Sequence, residues 1–238
     1  MNARDLSNVA YTNEYQSKRE EAISAIIRPE NLTDTEYILS KSRYNRTIIN
    51  YSAKLHGYNL TYSHNKVYDT DENLVYEYIS EYGHPFFCTL ISHSNGRQYL
   101  AYKENLYGYS VFDIRSNETF KYIPATSWKG GETFIATDIY YNSANDMVVA
   151  EGCYWACPYG VFLFEVKEPM KLFTRYLDIQ MLLGGYDKYE DIEFQGWEGT
   201  DIVLKCHNIE QEPHHVEMIK LSQEEYKKAL RPRGCNIT

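Results

Sequence analysis

The chain of 238 residues lacks the signatures that name most enzymes. It has no Gly-x-Ser-x-Gly elbow, no phosphate-binding P-loop and no His-Glu-x-x-His pair, so the common hydrolase, nucleotide and metalloprotease sites have no foothold. It lacks a run of about 20 apolar residues, which argues against a helical membrane span. Basic charge is in deficit, with 24 Lys and Arg against 33 Asp and Glu. That balance disfavours nucleic acid, whose phosphates want a basic face, and an anionic membrane surface for the same reason. The start, Met1-Asn2-Ala3-Arg4-Asp5, is polar and has no secretory h-region, so the expected location is cytoplasmic. Cysteines are few and odd in number, at 88, 153, 157, 206 and 235. They make a poor disulfide framework, and free thiols are expected.

Tyrosine is present in excess, at 24 residues. Its strand propensity and large amphipathic surface point to sheets. The length suits one large β domain. Residues 1–42 read as a helical N-terminal extension. Thr12 or Asn13 caps a helix from Glu14 to Ile27, with Tyr15, Ala22, Ile23, Ile26 and Ile27 on one face. Arg28-Pro29 stops it. Thr33-Asp34-Thr35-Glu36 has capping-box spacing and predicts a short second helix.

From Arg43 the period changes to that of strands, and residues 43–238 read as a single β-meander domain. Thr47–Tyr51, Tyr58–Tyr62, Lys66–Tyr68 (after a Ser-His-Asn turn) and Leu74–Ile79 are expected strands. Three similar units follow, each a strand, a tight turn, an apolar strand, a longer loop and another apolar strand. The first begins at Phe86, the second at Phe134, the third at Asp191, and the first two add an outer strand. Repeats about 45 to 60 residues apart suit propeller blades. The fold class expected is therefore mainly β: repeated antiparallel meanders resembling a small or incomplete β-propeller, with the helical arm and a short C-terminal helix after the capping box Ser222-Gln223-Glu224-Glu225.

One stretch stands apart: Glu151-Gly152-Cys153-Tyr154-Trp155-Ala156-Cys157-Pro158-Tyr159, between Met147-Val148-Val149-Ala150 and Val161-Phe162-Leu163-Phe164. From about Ser143 to Leu172 the chain resembles an uncharacterised bacterial and fungal family. In it a WD-repeat-like turn, an apolar strand, a Gly-Cys-aromatic-Trp-small-Cys-Pro-Tyr loop and a second apolar strand follow one another. The turn here is Ala144-Asn145-Asp146 where the family tends to have Asp-Gly. The resemblance implies a propeller-type fold and no activity.

Three chemistries compete for the loop. Zinc would need about four ligands, and Cys153, Cys157, Cys206 and His207 are the candidate cluster, with His214 and His215 nearby. The reading preferred over it is that Cys153 and Cys157 are buried small hydrophobes, and no metal or cofactor is expected. Hydrolysis would need a carboxylate pair from Asp138, Asp146, Glu151, Glu193 and Asp201, and no spacing selects one. His93 and His84 read as turn and surface residues. Binding is the preferred function: an interaction module for a protein partner, inhibitor- or immunity-like, with Tyr107, Tyr109, Glu151, Tyr154, Trp155 and Tyr159 at the surface concerned. The competing reading is a small-molecule or glycan-acting enzyme. In detail, Cys153, Trp155, Cys157 and Pro158 are expected to pack and fix the loop, leaving Glu151, Tyr154 and Tyr159 exposed.

Overall fold

The computed structural model describes residues 7–38, 44–81, 86–155, 159–185, 187–209 and 215–232. The described residues are mainly β and fold as four antiparallel sheets in chain order. Sheet I contains β1 (Leu32–Ile38), β2 (Asn45–Leu55), β3 (Tyr58–Tyr68) and β4 (Leu74–Glu81). Sheet II contains β5 (Cys88–Ser92), β6 (Gln98–Tyr102), β7 (Tyr109–Asp113) and β8 (Glu118–Tyr122). Sheet III contains β9 (Ile135–Asn142), β10 (Met147–Cys153), β11 (Gly160–Glu165) and β12 (Arg175–Asp178). Sheet IV contains β13 (Tyr189–Glu198), β14 (Asp201–Asn208) and β15 (His215–Leu221). A two-residue strand, β16 (Arg231–Pro232), returns to pair with β12. No helix among the described residues is long and apolar enough to cross a membrane.

The sheets stack face to face, each on the next. Val67 and Tyr78 of sheet I meet Leu100, Tyr102 and Phe112 of sheet II. The other face of sheet II, with Tyr99, Ala101 and Val111, packs on Ile139 and Tyr141 of sheet III. Met147, Val149, Val161 and Leu163 of sheet III close on Ile192, Ile202, Leu204 and Cys206 of sheet IV. Strand β11 is buried along its whole length, since Phe162 and Phe164 serve one interface and Val161 and Leu163 the other. That explains its continuous apolar run. Each such side chain contributes about 1.5–3 kcal/mol on burial.

The helix α1 (Asn13–Ile26) is capped by Thr12, whose side chain accepts from the Tyr15 amide. Ala22 and Ile26 seat it on Tyr62 of sheet I. The capping box at Ser222 likewise starts α4 (Gln223–Ala229). Two short helices, α2 (Ala125–Trp128) and α3 (Ile179–Leu182), fall in connections.

Two local expectations need correction. No helix follows Thr33: residues 32–38 are β1, the edge of sheet I. Asp34 and Glu36 share one face of that strand, and both accept from Asn50 Nδ2, at 3.2 and 3.0 Å. Their cross-strand partner outweighs the local cap spacing. Nor do Ser63, His64 and Asn65 form a turn. They run through the middle of β3, where Ser63 Oγ donates to Asn50 Oδ1 at 2.6 Å and Asn65 Nδ2 donates to Ser80 Oγ at 2.9 Å. A buried polar row hydrogen-bonded across strands is stable within a sheet.

Candidate functional site

The singular loop leaves β10 at one end of sheet III and returns into β11. Two glycines let neighbouring chains come close there. A Cβ on Gly152 would lie 2.0 Å from the Ile135 carbonyl oxygen. One on Gly108, in the matching loop of sheet II, would lie 2.0 Å from the Tyr122 carbonyl oxygen, and Gly108 has φ +82°. Only glycine fits either position.

Trp155 is held by both of its N–H groups. Its backbone amide donates to Glu132 Oε1, and its indole Nε1 donates to Tyr107 Oη at 2.8 Å. Yet 61% of the residue is exposed. Tyr154 turns the other way and packs edge-on to Phe134 at 5.7 Å between ring centroids, joining the core between sheets II and III. The two aromatic residues thus exchange the places expected for them: the tryptophan presents its ring to solvent and the tyrosine plugs the loop. Alternation along the chain, continued past the strand end, sends Tyr154 and Trp155 to opposite sides.

Tyr159 is also presented, at 39% exposure. Its hydroxyl donates to Thr137 Oγ1 at 2.9 Å, and its amide donates to Asp191 Oδ1 at 2.8 Å. Glu151 is engaged at the seam between sheets III and IV. Its carboxylate accepts from Tyr140 Oη at 2.9 Å and from the Phe194 amide at 2.5 Å. Burial and the adjacent Glu151 carboxylate push the Tyr140 phenol well above its usual range. Tyr109 lies apart from this surface, its ring 5.7 Å from Tyr122 and 6.0 Å from Phe173. Tyr107, Trp155 and Tyr159 therefore share the loop end with Glu151 beneath, whereas Tyr109 and Tyr154 belong to the packing.

Cys157 and Pro158 lie outside the described residues. Cys206 and His207 cannot serve one metal. Strand alternation buries Cys206 in the core between sheets III and IV and sends His207 to the outer face, where Nε2 sits 3.2 Å from Glu193 Oε1. Among the described residues no three His, Cys, Asp or Glu side chains converge on a metal position.

Two features escaped the sequence. Lys103, next in chain after β6, is 1% exposed, donates to the Ala136 carbonyl at 2.7 Å and lies 4.6 Å from the Phe86 ring centroid. Burial pushes its ammonium down to about 7. A lysine between a Tyr and a Glu carries no signal of burial. His93, expected at the surface, is 5% exposed. Its Nε2–H donates to the Val166 carbonyl at 2.8 Å and its Nδ1 accepts from the Asn95 amide at 3.2 Å, which defines the neutral Nε2–H tautomer. Nearby Asp146 accepts from Tyr141 Oη at 2.6 Å and Ser94 Oγ at 2.8 Å. Ser94, His93 and Asp146 are a clamp between sheets II and III. They do not form a nucleophile chain, since the serine donates to the aspartate, His93 Nδ1 accepts from the Asn95 amide, and His93 Nε2 faces the Val166 carbonyl with Asp146 Oδ1 at 3.4 Å.

Comparison with family models, with curated proteins and with solved structures finds no match for this chain.

Proposed function

We propose that the protein is a non-enzymatic interaction module that engages a protein partner through the Trp155 loop. The observation that carries this is the state of Trp155: its ring is mostly in solvent while both N–H groups are tied to neighbouring segments. An exposed aromatic fixed beforehand loses little entropy on docking, and tryptophan is the residue most enriched among interface anchors. Tyr107 and Tyr159 extend the surface, and the net charge of −9 favours a partner with a basic rim. An inhibitor- or immunity-like role in the cytoplasm is the concrete form. Four successive meanders stacked in order support the description of the fold as a small, incomplete propeller of the WD-repeat-like kind. A glycan- or small-molecule-acting enzyme at this loop has less support, because the Glu151 carboxylate already accepts two hydrogen bonds from its own fold.

The test is affinity capture from the native cell with wild type and Trp155→Ala in parallel. Truncating an exposed ring leaves the melting temperature within about 1–2 °C and removes the specific partner. Recovery of the same partner set by the variant would take the loop out of the interface.

A further inference from the structure

A second site lies away from the loop, toward the tight-turn ends of the sheets. The first strand of each of sheets II, III and IV is an edge strand: β5, β9 and β13. These three edges border an open cavity of about 520 Å³, within the range of about 300–1,000 Å³ typical of small-molecule sites. Its chemistry is uniform. Aromatic rings come from Tyr140 and Tyr141 on β9 and from Phe194 and Trp197 on β13. Hydroxyls come from Thr89 and Ser92 on β5 and from Ser143 in the turn after β9. Among the described residues no Asp, Glu, Lys, Arg or His lines the cavity. The bulge of β13 between Phe194 and Gly196 shifts the register beside this wall, and edge strands also leave alternate backbone N–H and C=O groups outside the ladder.

We infer that this cavity binds a neutral saccharide, with aromatic rings of β9 and β13 against its C–H faces and the Thr89, Ser92 and Ser143 hydroxyls hydrogen-bonding its hydroxyls. A sugar ring carries hydroxyls around its rim and apolar C–H patches on its faces, which matches a lining that mixes hydroxyls from β5 and the turn after β9 with rings from β9 and β13. A flat heterocycle would use the rings and leave the spread of hydroxyls unused. A phosphorylated or carboxylated ligand would find no counter-charge, and desolvating it there is unfavourable. The ligand is either a free hexose or the terminal sugar of a glycan, which share this chemistry.

The test is titration of the purified protein with D-glucose, D-galactose, D-mannose, their methyl glycosides, lactose and glucose 6-phosphate, followed by calorimetry and ligand-observed NMR. At least one neutral hexose is expected to saturate with a dissociation constant below about 10 mM. Equal binding of a methyl glycoside or lactose identifies a glycan terminus, and selective binding of the reducing sugar identifies a free hexose. Thr89→Val keeps the side-chain shape and removes the hydroxyl, and weakens binding up to about tenfold. Ser92→Trp, at an exposed lining position, fills the mouth and abolishes binding at unchanged melting temperature, and keeps the test open if Thr89→Val folds poorly. Absence of saturable binding by any neutral sugar, equally tight glucose 6-phosphate, or undiminished binding by a folded Ser92→Trp variant would overturn the inference.

Discussion

Replacing Arg19 with methionine probes how α1 is held. The Arg19 side chain is 9% exposed and sits between two carboxylates, 3.6 Å from Glu81 Oε1 and 3.4 Å from Glu104 Oε2. Its Nη2 also donates to the Ile79 carbonyl at 2.6 Å. Glu104 is 2% exposed and is reached from the other side by Lys121, at 2.6 Å. One guanidinium thus joins the helix to β4 and to the loop after β6. Removing one member of a buried charge set costs about 3–5 kcal/mol. Two features reduce that here. Lys121 stays beside Glu104, and Glu81 can take up a proton, so about 2–3 kcal/mol is expected near neutral pH.

The pH dependence gives this prediction a second reading. Burial raises the Glu81 carboxyl from 4.5 to about 7, against the lowering effect of Arg19 and with a further rise from Glu104. The folded state thus holds the proton more tightly than the unfolded one. The group's contribution to stability is complete below 4.5 and is lost as pH climbs through about 7. The full shift corresponds to about 3 kcal/mol, and with 23% of the side chain still exposed, about 1–2 kcal/mol is expected. Without Arg19 the carboxyl rises further, so the loss continues to higher pH. Urea unfolding followed by circular dichroism at about pH 5 and about pH 8 should show a larger deficit for Arg19→Met at the higher value. A deficit below about 1 kcal/mol, or one equal at both pH values, would refute the account.

Lys103→Met removes a buried ammonium whose charged state is disfavoured. Wild type loses this group's contribution as pH falls from 10.5 toward about 7. The variant is expected to gain about 1–2 kcal/mol relative to wild type between about pH 10 and about pH 7 in urea titrations. Asp146→Ala unties Tyr141 and Ser94 from the turn of sheet III, and should cost about 2–3 kcal/mol in the same assay. Gly152→Ala places a methyl against the Ile135 carbonyl. It should destabilise the protein by more than about 3 kcal/mol or prevent its recovery in soluble form, whereas Gly96→Ala, with open space around it but φ +79°, should cost only about 1 kcal/mol.

Much of the strand pattern is legible in the chain. Thr47–Tyr51 and Leu74–Ile79 fall within β2 and β4, and the apolar runs at Met147 and Val161 become β10 and β11. Thr12 and Ser222 start their helices as cap chemistry requires. These features depend on neighbours within a few residues. The failures depend on partners far away. Thr33–Glu36 has helix-start spacing but is claimed by Asn50, and Ser63–Asn65 has turn composition but is satisfied by Asn50 and Ser80. The loop from Glu151 to Tyr159 is conspicuous in the sequence, and Tyr159 is exposed as expected, yet Tyr154 and Trp155 take each other's expected places. Trp155 is the larger apolar group and reads as core; Phe134 and Phe162 already fill that space with Tyr154.

The sequence by itself determined a chain of successive antiparallel meanders, the capped helices, and a singular aromatic loop, because each follows from periodicity and local hydrogen bonding. Only the tertiary structure decided what those elements do together. Stacking of sheets turned Trp155 outward and Tyr154 inward, buried Lys103 and His93, and set Cys206 and His207 on opposite faces. It also brought β5, β9 and β13 to the border of one uncharged cavity. No local pattern carries that information, since the cavity's walls lie about fifty residues apart along the chain and meet only when the faces of the sheets are buried.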